Sequence, residues 1–146
     1  KAVVTTSSFN GFTDKGISVG ENSQLLMLDS KIEENIIGVA VKDKSEIYLV
    51  DVNFNLNKND IAAYMKKAIF GGGTAYLQND INRNKKLKVL LDGNSLIYQF
   101  RSLKTLVGQS PEETLSRISN IFENLGLVEK QQIELKPNYV YEASGE

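Results

Sequence analysis

Few residues of this 146-residue chain have types and spacing that could do chemistry. Glu134 and Lys136 stand two apart in the run Ile133-Glu134-Leu135-Lys136. Alternate residues of a strand share a face. On a strand, this Glu-x-Lys pattern would give a carboxylate to hold Mg²⁺ and a lysine to stabilise charge or a hydroxide, as in metal-dependent nucleases. The scheme also needs an aspartate on an adjacent strand, for which Asp92 and Asp51 are candidates. The competing reading is an exposed strand face with Ile133 and Leu135 turned inward.

The run from Asn82 to Lys88 is the densest basic stretch. Arg83, Lys85, Lys86 and Lys88 could bind phosphate or an acidic protein surface. No aromatic residue interleaves them, so stacking on single-stranded nucleic acid is poorly served. The alternative is a solvated loop. Tyr139 and Tyr141, two apart near the C-terminus, would share one face of a terminal edge strand. Tyrosine offers wide contact area with a polar tip, so the pair is a candidate protein-binding surface, against the alternative of sheet-face packing. Gly71-Gly72-Gly73 invites comparison with a phosphate loop. Such a loop needs amides at a helix N-terminus and a following Lys-Ser/Thr pair. Here the glycines follow an expected helix, so they read as a C-cap and hinge.

Composition removes whole classes. There is no cysteine and no histidine, which excludes disulfide scaffolds, thiolate nucleophiles, Cys/His zinc sites and Ser-His-Asp triads. The acidic residues form no calcium-loop pattern. The stretch from Asp51 to Asp60 (DVNFNLNKND) alternates like a strand and not like an ion loop. The net charge of −1 lacks the positive excess of a nucleic-acid binder. No run approaches the ~20 apolar residues of a membrane-spanning helix. No cofactor motif and no catalytic or metal site is assigned. The abundance of Lys, Asn and Ile points to a bacterial source. The first residue is Lys1 and not Met, which favours a processed or excised segment and an extracytoplasmic location, periplasm or envelope.

The elements that must position these residues are read from hydrophobic period. A hydrophobic fraction of 41% in one chain of this length suits a single domain, residues 1–146. Gln24 to Leu28 reads as a buried strand. Ile36 to Val41 and Ile47 to Leu56 read as the two strands of a hairpin, with Val50, Val52, Phe54 and Leu56 on the core face. The period then lengthens: Ile61, Tyr64, Met65, Ala68 and Ile69 predict an amphipathic helix over 58–70. Leu87 to Leu91 and Leu96 to Phe100 flank Asp92-Gly93, a second hairpin signal. Ser110-Pro111-Glu112-Glu113 is a capping box that opens a second helix over 111–125, lined by Leu115, Ile118, Ile121, Phe122 and Leu125. No internal repeat is read. The expected fold is α+β: an antiparallel sheet of about five to seven strands built from hairpins, with two helices packed on one face.

The function expected from these features is non-catalytic binding of another protein, as part of an exported or envelope-associated assembly or as an inhibitor or immunity protein. Strand addition at a sheet edge is one route to it. The alternatives are a metal-dependent hydrolase or nuclease using the Glu-x-Lys strand, and a polyanion-binding domain using the 83–88 patch.

Overall fold

The computed structural model describes residues 1–78, 86–100 and 118–142. They hold eleven strands: β1 (Ala2–Thr5), β2 (Ser8–Asn10), β3 (Lys15–Val19), β4 (Gln24–Glu33), β5 (Ile37–Lys42), β6 (Glu46–Asn55), β7 (Asn59–Tyr64), β8 (Thr74–Gln78), β9 (Val89–Leu91), β10 (Leu96–Phe100) and β11 (Lys130–Gln132). One helix, α1 (Ile118–Leu127), precedes β11.

The strands wind as a parallel β-solenoid. One sheet runs β1-β4-β6-β8-β10-β11, with β2 also on β4, and the other runs β3-β5-β7-β9. Every pair is parallel except β10 with β11. Leu25 pairs with Ile47 and Ile37 with Asn59, so a residue meets its counterpart 22 positions on, the same spacing as Asn35 and Asn57. The first coil is one residue longer: Ser8 pairs with Lys31. From the third coil to the fourth the offset is 28, as between Asp60 and Lys88. The extra residues lie between Tyr64 and Thr74.

The corners explain why these residues turn where they do. Thr6, Asp29 and Asp51 are stacked left-handed residues at the first corner, and Gly11, Glu34 and Leu56 at the second. The third corner uses two in a row, Glu21-Asn22 and Asp43-Lys44. Asn22, Asp29, Asp43 and Asp51 are short polar residues that tolerate this conformation and Gly11 has no Cβ, whereas Leu56 is an apolar residue and sits 70% exposed. Buried side chains then satisfy the corner amides. Ser30 Oγ accepts from the Ser7 N–H, and Asn35 Oδ1 from the Phe12 N–H. Asn57 Oδ1 accepts from the Asn35 N–H, Ser45 Oγ from the Ser23 N–H and Ser95 Oγ from the Gly73 N–H. In each case the earlier coil donates its backbone and the later coil accepts with a side chain.

The interior is filled by inward columns such as Met27, Ile32, Val39, Ile47 and Ile61. Outside the larger sheet, Ile121, Phe122 and Leu125 of α1 bury Leu26, Leu28, Tyr48 and Val50. Outside the smaller sheet, Ala40, Ala62 and Tyr64 are covered by Tyr139 and Tyr141.

This architecture replaces the expected α+β fold with its antiparallel sheet. The two hairpins are absent because β5 and β6, like β9 and β10, lie in different sheets. A short polar turn with left-handed residues can reverse a chain into a hairpin or carry it round a corner, and the local sequence is the same for both. The helix over 58–70 is replaced by β7 and a turn. Ile61, Ala62, Ala63 and Tyr64 are all buried, so β7 is enclosed on both faces and shows no period of two. The second helix is described only from Ile118, and it continues through Gly126 to Leu127. Its expected capping box lies outside the described residues. The supposed core face of β6 also changes. The left-handed Asp51 shifts the alternation, so Val52 and Phe54 point into the coil with Ile47 and Leu49, while Val50 packs under α1.

Candidate interaction surface

The two ends of the solenoid differ. At the C-terminal end, β11 pairs antiparallel with β10. The Ile133 N–H donates to Ile97 O at 2.8 Å, and the Ile133 side chain closes onto the interior cluster. Asn138 then seals β9. Its N–H donates to Leu91 O, its Oδ1 accepts from the Leu91 N–H at 2.8 Å, and its Nδ2 donates to Val89 O at 2.9 Å. An asparagine that reproduces a strand's donor and acceptor pattern ends the sheet without leaving an edge.

The N-terminal end has no such seal among the described residues. β1, β2 and β3 each pair on one side only. Their inward side chains Val4, Phe9 and Ile17 touch the interior but stay partly exposed, and Phe12 at the second corner is 48% exposed. The result is a ring of strand edges around apolar side chains, interrupted at Thr6-Ser7 and between Gly11 and Asp14.

Two tyrosine clusters flank the solenoid. On the larger sheet Tyr48 stacks on Tyr76 with ring centres 4.3 Å apart, and Tyr76 on Tyr98 at 5.3 Å. Successive coils place like residues one strand spacing apart, so rings stack by register. Lys130 Nζ sits over Tyr76 at 5.5 Å and donates to Val128 O, closing the end of α1. Burial lowers its pKa. Burial, with the Glu46 charge second, pushes the Tyr48 hydroxyl up to about 12. Tyr76 is raised by burial first and then by its hydrogen bond to Glu46. On the smaller sheet Tyr141 stacks on Tyr64 at 5.2 Å and Tyr139 meets the same ring edge-on at 5.6 Å. Burial raises Tyr64 and Tyr139. Lys42, beside Tyr64, is lowered by burial and then by the charges of Lys66 and Lys15.

The residues singled out from the sequence fall as follows. Tyr139 and Tyr141 come together, but on Tyr64 and in no strand, so they strap the tail to the sheet instead of lining an open edge. Arg83 and Lys85 lie outside the described residues. Lys86 is exposed. Lys88 points its side chain outward, while its N–H donates to the buried Asp60 and its ammonium reaches Asn57 O. Glu134 and Lys136 are exposed on a segment that is not a strand, which removes the shared face that the metal scheme needs. Its partner candidates serve corners. Asp51 is a left-handed residue, and Asp92 accepts from the Met65 and Asn94 N–H groups. The three glycines follow a turn and not a helix. A Cβ on Gly72 would overlap Asn94 O, and one on Gly73 would overlap Val41 O, so close backbone approach is what requires glycine there.

The sequence reading missed the buried aspartates. Asp43 Oδ1 accepts from the Lys66 and Lys67 N–H groups, while Asp92 takes that of Met65. Together they bracket the insertion after β7. It also missed the corner ladders, whose signal is a Ser or Asn recurring at 22-residue spacing. Among the described residues no group of three or more Asp or Glu gathers to hold a metal ion. No described helix is long and apolar enough to cross a membrane.

Comparison of the chain with protein families, with curated proteins and with solved structures finds no match.

Proposed function

We propose that this chain is a non-catalytic protein-binding module, a solenoid that recruits a partner polypeptide along its second corner. The observation that carries the reading is a large apolar side chain left exposed at that corner in three successive coils: Phe12 is 48% exposed, Ile36 46% and Leu56 70%. Exposed apolar side chains gathered on one face mark an interaction surface. The buried carboxylates Asp43, Asp60 and Asp92 support the non-catalytic half of the proposal, since each accepts backbone N–H groups.

The test is hydrogen exchange on the complex that forms when the tagged chain captures proteins from envelope and soluble extracts. Slowed exchange confined to the residues around Phe12, Ile36 and Leu56 is the expected result. Protection that falls instead on α1 or on the 133–142 tail, with the second corner unchanged, would overturn the reading.

A further inference from the structure

We infer that the outer face of the smaller sheet carries a binding site for a phosphoryl dianion, held between Lys42 and Lys66 with the Ser18 hydroxyl as a third donor. The site lies where β3, β5 and β7 run into the third corner, and it stands independently of the reading given for the second. Two observations lead there.

The first is placement. Lys42 ends β5 beside Tyr64. Its side chain lies across Gly20, where a Cβ would come 3.0 Å from Lys42 Cε. Its ammonium donates to Ser18 Oγ at 3.0 Å. Tyr141 stacks on Tyr64 at 5.2 Å, and Lys66 Nζ sits over the Tyr141 ring at 5.8 Å. Both lysines therefore border one tyrosine stack. Ser18 is exposed, and because its oxygen accepts from Lys42, its own O–H is left to donate.

The second is charge. Among the described residues the ion pairs are Lys15 with Asp14 and Lys67 with Glu21, so neither Lys42 nor Lys66 has a carboxylate within ion-pair reach. Asp43, next to Lys42 in the chain, is buried and turns its Oδ1 to the Lys66 and Lys67 N–H groups. Burial lowers the Lys42 pKa most, and the Lys66 charge comes next, ahead of Lys15; Asp43 and Asp14 pull the other way without cancelling the shift. An anion seated beside both ammonium groups offsets that repulsion and restores what burial takes from Lys42. Two lysines match a dianion. A carboxylate carries one charge and is held best by the planar fork of arginine, whereas lysine binds phosphate as a point charge. None of the described residues is an arginine.

The probe is inorganic phosphate above its second pKa, titrated into the intact protein at constant ionic strength, with acetate as the monoanionic comparator. Amide shifts are followed by NMR. The expected result is saturable phosphate binding, about tenfold tighter than acetate, with shifts grouped at Ser18, Gly20, Lys42 and Lys66. Lys42→Gln and Lys66→Gln each weaken it about tenfold, the size of a charge-assisted hydrogen bond, and Ser18→Ala about fivefold. Lys58→Gln, at an exposed lysine of the second corner, leaves it unchanged. Lys66 is itself exposed, so its variant reads binding even where Lys42→Gln lowers the melting temperature. Glycerol phosphate run beside the free ion separates two sources of the same dianion. Tighter binding of the ester assigns a phosphate monoester, and equal or weaker binding assigns free phosphate. Shifts that rise without saturating, acetate binding as tightly as phosphate, or full affinity in Lys66→Gln would overturn the site. The second-corner reading, tested on protein complexes, is untouched by any of these results.

Discussion

At the scale of single residues, buried polar groups at the corners hold the coil together. Asn57 is 1% exposed and its side chain takes part in four hydrogen bonds: two with Asn35, one to Ile32 O and one to Asp60. Replacing it with alanine strands several of these partners in the interior. Asn57→Ala should cost about 3 kcal/mol in urea unfolding, several times the effect expected at an exposed asparagine such as Asn53. Tyr48 gives a pH signature. Its hydroxyl titrates near 10.0 when unfolded and about 12 when folded. The neutral form is favoured by folding, so stability is fully present below pH 10 and is lost as pH rises through that window. The slope contributed by this one group approaches ~1.4 kcal/mol per pH unit. Denaturant midpoints measured on either side of pH 10 check it, and Tyr48→Phe should flatten the fall. These roles were half legible in the sequence. Ser23, Ser45 and Ser95 each precede an apolar strand, and Asn35 and Asn57 precede two more, at a spacing that announces a repeat. Read one segment at a time, each looked like ordinary turn chemistry.

At the scale of elements, strand existence was legible and strand partnership was not. β4, β5, β6, β9 and β10 stand where apolar runs rich in β-branched residues place them. Their pairing is set by contacts one full coil away, which no local window contains. β7 failed as a strand because enclosure on both faces erased its alternation, and its alanines favour helix. The Tyr139–Tyr141 pair packs on a sheet face, the alternative weighed for it, but the sequence does not say which face. Its partner, Tyr64, lies 75 positions upstream and is brought near only by the solenoid. Glycines separate two kinds of element. Gly73 sits where a Cβ would strike Val41 O across the corner, whereas a Cβ on Gly126 of α1 meets nothing within 4 Å. Gly73→Ala should destabilise by more than about 2 kcal/mol. Gly126→Ala should stabilise by up to about 1 kcal/mol through helix propensity. Thermal melts of the two variants side by side check both signs.

At the scale of the whole molecule, stability in a solenoid is a sum over neighbouring coils, and the ends are weakest unless sealed. Here the C-terminal end carries β11, Ile133 and Asn138, while the first coil holds its neighbour on one side only. The account therefore predicts a gradient of protection along the axis. Native-state hydrogen exchange of the intact chain in isolation, resolved strand by strand, measures it most directly. The expected result is slow exchange in β4, β5, β6 and β7, protection at β9 and β10 close to theirs, and fast exchange at β1, β2 and β3. Equal protection at β1–β3 and β6 would contradict the coil-by-coil account of the solenoid's stability.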